Sequence, residues 1–255
     1  MSPLARVTNS TSIDDNNPEQ NGWGVLVEDN ANTITRNLID GNANNGIAIG
    51  DDDFGDTSAP SSYNVVQKNT ITDNGEIGVE LSHGASHNLI GGSAGQGNYI
   101  HDNGGDGIKN EAESEPAVFN SFLSNSIEDN SFGISNDGNN PGDPGANNGI
   151  IPPDVTSAKT VGGKLYITGT YAGAAKAKIR IQLFASEGCD SSGWGQGDVY
   201  LGEKQIKTDK SGNGKFNVKI KSDITDGVVT VTATNVKTGD TSEFSYCDEN
   251  ASEIS

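Results

Sequence analysis

Apolar and polar positions in the first half of the chain recur in a fixed order. Asn32, Ile34, Asn37, Ile39, Asn42, Gly46, Ile47 and Ile49 return as Asn64, Val66, Asn69, Ile71, Asn74, Gly78, Val79 and Leu81, 32 residues later and without a gap. A third copy gives Asn88, Ile90, Asn98, Ile100, Asn103, Gly107 and Ile108, and a fourth gives Asn120, Phe122, Asn125, Ile127, Asn130, Gly133 and Ile134. Within each copy the apolar residues alternate with polar ones over three short stretches bounded by Asn or Gly. This period predicts strands and tight turns rather than helices. Self-similarity at a fixed spacing predicts that the copies stack. Stacking makes apolar columns of Ile34/Val66/Ile90/Phe122, Ile39/Ile71/Ile100/Ile127 and Ile47/Val79/Ile108/Ile134. Beside them run asparagine columns, Asn32/Asn64/Asn88/Asn120, Asn37/Asn69/Asn98/Asn125 and Asn42/Asn74/Asn103/Asn130. Asparagine tolerates a left-handed corner, and its amide can bond the equivalent amide about 4.8 Å above and below. The Gly46/Gly78/Gly107/Gly133 column marks a bend where a side chain would clash.

This pattern resembles the right-handed parallel β-helix of the pectin-lyase-like family over about residues 20–140. The resemblance implies a fold of about four coils and no particular reaction, because lyases, hydrolases, epimerases, phage tailspikes and adhesins share the coil. The repeats span 21–136, after a polar lead-in over 1–20 and before a turn-dense linker over 137–152. The texture then changes. Strand-like runs at Leu165–Thr170, Ala177–Ala185, Val199–Thr208, Lys215–Ile220, Val228–Thr234 and Ser242–Cys247 predict an antiparallel β-sandwich over 153–248, with a tail over 249–255. Phe184, Cys189, Gly193, Gly197, Tyr200, Gly202, Asp209, Gly212, Phe244 and Cys247 fall as in the immunoglobulin-like module that follows β-helix repeats in bacterial secreted and surface proteins. The expected fold class is therefore all-β, a β-helix followed by an immunoglobulin-like sandwich. That likeness implies an exported bacterial protein, extracellular or on the cell surface, with Cys189 and Cys247 bridged. The alternative is a pair of reduced core thiols.

Composition sharpens this. Hydrophobic residues make up 32% and mean hydropathy is −0.54, which would suggest disorder were the copies not in register. The formal net charge is −19: residues 1–150 hold 22 acidic and 4 basic side chains, residues 151–255 hold 13 and 12. So acidic a surface argues against nucleic acid and against unaided binding of polyanions. No apolar run approaches a membrane span, and Met1 to Arg6 carries no apolar signal segment. The first coil, Gly22 to Val27, reads as the end of a repeat, so the chain reads as a piece of a longer exported protein.

The acidic residues suggest calcium. Asp73, Asp102 and Asp129 hold one repeat position and either share a cation or form a solvated stripe. Asp51, Asp52 and Asp53 crowd one turn, and Asp137 and Asp143 lie in the linker; both groups are further calcium candidates. Catalytic groups are sparse. His83 and the Asp51–Asp53 turn faintly match elements of the family's hydrolases, but the remaining motifs are missing. The expected role is a non-catalytic structural or adhesive module, calcium-stabilised and self-associating or bound to surface glycan. The alternative is a carbohydrate-active enzyme or carbohydrate-binding domain.

Overall fold

A computed structural model describes residues 12–14, 22–50, 61–112, 115–136, 145–189, 192–222, 224–248 and 251–255. Short strands fill the first half in chain order: β1 (Ser12–Asp14), β2 (Val25–Val27), β3 (Thr33–Thr35), β4 (Leu38–Asp40), β5 (Ile47–Ile49), β6 (Val65–Gln67), β7 (Thr70–Thr72) and β8 (Val79–Leu81). They continue as β9 (Leu89–Gly91), β10 (Tyr99–His101), β11 (Asp106–Asn110), β12 (Ser121–Leu123), β13 (Ser126–Glu128) and β14 (Phe132–Asn136). They assemble into three parallel sheets, ordered β1-β4-β7-β10-β13, β14-β11-β8-β5-β2 and β12-β9-β6-β3. The result is a parallel β-solenoid. β1 lies in the stretch read as lead-in and pairs with β4 in the register Ile13 to Ile39.

The apolar columns align as the repeat predicts. Ile34 sits opposite Val66, Val66 opposite Ile90 and Ile90 opposite Phe122. Ile39, Ile71, Ile100 and Ile127 follow one another, as do Ile47, Val79, Ile108 and Ile134. All are buried in one continuous core. Successive side chains of a strand point to opposite faces, so a triplet with a central Ile places that residue inside and its neighbours outside.

The asparagine amides bond one another from coil to coil as expected, but the asparagines are not themselves the left-handed residues. The left-handed residue is the one before the asparagine at every corner of the three columns except that of Asn98, which follows Gly97. Tyr63, Lys68, Asp73, His87, Asp102, Phe119, Ser124 and Asp129 all have φ between 48° and 62°, while Asn64, Asn69, Asn74, Asn88, Asn103, Asn120, Asn125 and Asn130 turn inward and are buried. The reason lies in what the amide can reach. From Asn98, Oδ1 accepts from the backbone N and the Nδ2 of Asn69, both at 3.0 Å, and Nδ2 donates to the Val66 carbonyl and to Asn125 Oδ1, both at 2.9 Å. One side chain thereby satisfies backbone groups of the preceding coil that the corner would leave unpaired. A left-handed residue costs on the order of 1 kcal/mol, an amount the ladder bonds offset. The glycine column is enforced by close approach: a Cβ on Gly78 would lie 2.6 Å from both the Gly107 carbonyl and Ile100 Cγ2.

The second half holds six long strands, β15 (Asp154–Thr160), β16 (Lys164–Ala172), β17 (Lys178–Ser186), β18 (Val199–Lys207), β19 (Asn213–Lys221) and β20 (Val228–Asn235). They form two three-stranded antiparallel sheets, β15-β16-β19 and β18-β17-β20, packed over Leu165, Ile167, Ile179, Ile181, Leu183, Phe216, Val229 and Val231. β15 lies where the sequence suggested only the join to the linker. The predicted strand at Ser242–Cys247 forms no ladder and makes one isolated bridge, Tyr246 to Trp194: the Ser242 and Ser245 amides donate to the Ala233 and Val231 carbonyls of β20, but the return bonds from Ala233 and Val231 go to the Ser242 and Ser245 hydroxyls instead of the backbone. Ser252 and Ile254 are buried, and Ile254 bridges Ala158, so the last residues pack on the module. No helix of the described residues is long and apolar enough to cross a membrane.

Candidate functional site

A stack of parallel strands leaves the amides and carbonyls of its last coil unpaired, an invitation to edge-on aggregation. In this chain the sandwich module meets that end and supplies the missing partners. Asn120 N donates to Asn147 Oδ1 at 2.9 Å, so the first asparagine column gains one more rung from the linker. Asn130 N donates to Gln196 Oε1 at 3.3 Å, and Gln196 Nε2 donates back to the Asn130 carbonyl at 2.8 Å. Ser124 N donates to Gln182 Oε1, Phe119 N to Asp240 Oδ1, Phe122 N to Thr241 Oγ1 and Asn136 N to Glu243 Oε1. Ile127 and Gly197 exchange both backbone hydrogen bonds at 2.9 Å.

The apolar core continues across the same boundary. In successive coils the space above Gly46, Gly78 and Gly107 is filled by Ile71, Ile100 and Ile127; above Gly133 it is filled by the ring of Phe244. Phe244 is 1% exposed and meets Phe184 edge-to-face at 5.2 Å, and both belong to the solenoid core. The cap segment is anchored from behind by the Cys189–Cys247 disulfide.

Two clefts flank this junction. The acidic one, about 370 Å³, is lined by Glu128, Asp129, Ser186, Glu187, Gln196 and Asp198 beside Cys189. Burial pushes the Asp198 carboxyl up to about 6, with the charges of Glu128 and Asp129 adding to the rise and a hydrogen bond from Ser186 opposing it. Glu128 accepts from the Tyr99 hydroxyl, and this bond, with burial and nearby carboxylates, pushes Tyr99 up to about 12. The Tyr99 ring stacks on His101 at 3.9 Å, and His101 Nδ1 lies 2.7 Å from Asp102 Oδ2. The cleft can accept hydrogen bonds from hydroxyls or cations, and Asp198 can exchange a proton near neutral pH. The apolar cleft, about 620 Å³, is lined by Phe119, Ile150, Ile151, Tyr171, Thr238 and Asp240. Phe119 ends an aromatic column with His87 and Tyr63, each ring pair 5.0 Å apart.

The candidate metal residues fare unevenly. Asp73, Asp102 and Asp129 do occupy one repeat position, but as exposed left-handed corners. Asp73 accepts from Thr72 and Asp102 faces His101. Among the described residues no group of three or more His, Cys, Asp or Glu is placed to hold a metal ion. Asp51, Asp52, Asp53, Asp137 and Asp143 lie outside the described residues, and exposed His83 gains no described carboxylate partner there. The disulfide joins Cys189 to Cys247, with no free cysteine. The capping residues Gln182, Gln196, Asp240, Thr241 and Glu243 escaped the sequence reading. They lie up to 121 residues from their partners, outside any repeat. The one available signal was Asn147, which continues the asparagine column after the last copy.

Comparison with protein-family models and with curated proteins finds no match to this chain.

Proposed function

We propose that this chain is a non-catalytic structural module of an exported bacterial surface protein, a right-handed β-helix rod sealed by an immunoglobulin-like cap. The observation that carries this reading is the continuation of ladders and core from the last coil into the cap, which unites two folds in one stiff body. A polar surface, a thin all-β core and a disulfide suit a stalk or adhesin outside the reducing cytosol.

A specific observation favours one second reading. Asp198, raised to about 6 in a cleft it shares with Glu128, is the kind of carboxyl that serves as a general acid in carbohydrate-active enzymes. A panel of neutral and acidic polysaccharides, tested with and without Ca²⁺, separates the two. The structural reading expects no turnover under either condition. Turnover lost in Asp198→Asn or Glu128→Gln, with the fold retained, would establish the enzyme instead.

A further inference from the structure

The outer face of the sheet β15-β16-β19 carries a block of lysines that no carboxylate among the described residues pairs with. The cross-strand register sets Lys159 opposite Tyr166, Tyr166 opposite Lys219 and Lys164 directly opposite Lys221. Along the sheet, Thr170 faces Lys215. All five lysines are exposed. Lys219 Nζ lies 5.2 Å from the Tyr166 ring centre, and among the described residues none of the five pairs with a carboxylate. On this face the only acidic side chain of the three strands is Asp154, opposite Thr170 at the far end from Lys164. Like charges set directly across a sheet destabilise it, so a Lys164–Lys221 pair has a cost that no ion pair among the described residues relieves.

The solenoid has the reverse problem. The outer face of the sheet β1-β4-β7-β10-β13 presents Asp40 and Glu128 on its strands and Asp73, Asp102 and Asp129 at its corner, at coil steps of about 4.8 Å. The lysine face cannot fold back onto the acidic one. Ile179, Ile181 and Leu183 of β17 pack toward β15-β16-β19, whereas Gln182 and Phe184 reach the solenoid, so β18-β17-β20 stands between.

We propose that the lysine face docks on the acidic solenoid face of a second copy of this chain. Charge complementarity favours this occupant over an anionic polymer: residues 1–150 carry 22 acidic against 4 basic side chains, and that field repels free polyanions while drawing in a lysine block. The two faces differ, so the contact is head-to-side and leaves one face of each kind open, and it adds copies in an open series. It would hold whether or not the rod serves as a stalk.

The test is sedimentation velocity over a concentration series at about 0.05 M and about 0.5 M salt, across which screening lengths shrink several-fold. The wild type should self-associate at low salt and weaken at least about tenfold at high salt. Lys159→Glu/Lys164→Glu/Lys219→Glu/Lys221→Glu should be monomeric, as should Asp73→Lys/Asp102→Lys/Asp129→Lys. A mixture of the two should associate again, because the unaltered acidic face of the first meets the unaltered lysine face of the second, and the two reversed faces are also complementary. That rescue also shows both variants to be folded; neutral Lys164→Gln/Lys221→Gln should weaken association partway. A monomeric wild type at low salt, salt-independent association, failure of the mixture to associate, or binding of polyglutamate to the lysine face without self-association would each overturn the proposal.

Discussion

Glu243 is the most consequential single group at the junction. Its side chain is 6% exposed, and its Oε1 accepts from Asn136 N at 3.0 Å. Burial pushes its pKa from 4.5 to about 7, with the charge of Asp106 adding and the Asn136 bond opposing. A carboxyl raised on folding binds its proton more tightly in the folded chain. Its favourable contribution is therefore complete below pH 4.5 and is lost as pH rises through about 7. At about 1.4 kcal/mol per pH unit, that interval corresponds to about 3 kcal/mol of stability missing at pH 8. Gln has the shape of the protonated acid and keeps the acceptor for Asn136. Glu243→Gln should match the wild type near pH 4 and exceed it by up to about 3 kcal/mol at pH 8. Urea unfolding of both proteins at pH 4, 6 and 8 measures the difference. Asp198 titrates between 3.8 and about 6 in both proteins, so its slope cancels in the comparison. Curves that stay parallel from pH 4 to 8, or a variant weaker at pH 8, would refute the reasoning.

Other consequences follow from the ladder and the cap. Asn98→Asp removes the amide that donates to Val66 and Asn125 and buries a charge, so it should cost about 3–5 kcal/mol at neutral pH in urea unfolding and less at acid pH. Gly78→Ala drives a Cβ into the next coil and should lower the melting temperature steeply, by several times the effect of Gly188→Ala, where no atom lies within 4 Å and the backbone is not left-handed. Cys189→Ser/Cys247→Ser opens a loop of 58 residues and should cost about 4 kcal/mol on the chain-entropy estimate, read from denaturant midpoints.

Much of the solenoid was legible because a repeat states each contact several times. Ile39, Ile71, Ile100 and Ile127 could be stacked on paper, and they stack in the structure. What the repeat hid was the division of labour at its corners. Lys68, Asp73 and His87 take the left-handed conformation although none is a glycine, because their inward neighbours Asn69, Asn74 and Asn88 bond backbone carbonyls of the preceding coil and the asparagine side chain of the next. The cap was opaque for the opposite reason. Gln182, Gln196, Thr241 and Glu243 each make their contact once, at long range, and a single sequence offers no second copy to align them with. Ser242–Cys247 looked like a strand by its alternation and does run beside β20, but the Ser242 and Ser245 hydroxyls take the Ala233 and Val231 amides that a ladder would give to backbone carbonyls.

Amide hydrogen exchange, resolved by residue, tests the central claim that the sandwich completes the solenoid. The amides of Phe119, Phe122, Ser124, Asn130 and Asn136 point out of the last coil toward the cap side chains that accept from them. They should be protected as strongly as those of Asn69 and Asn98 in the interior, and Gln196→Ala should release Asn130. Fast exchange at the cap-facing amides, beside slow exchange one coil earlier, would mean that the two folds merely touch.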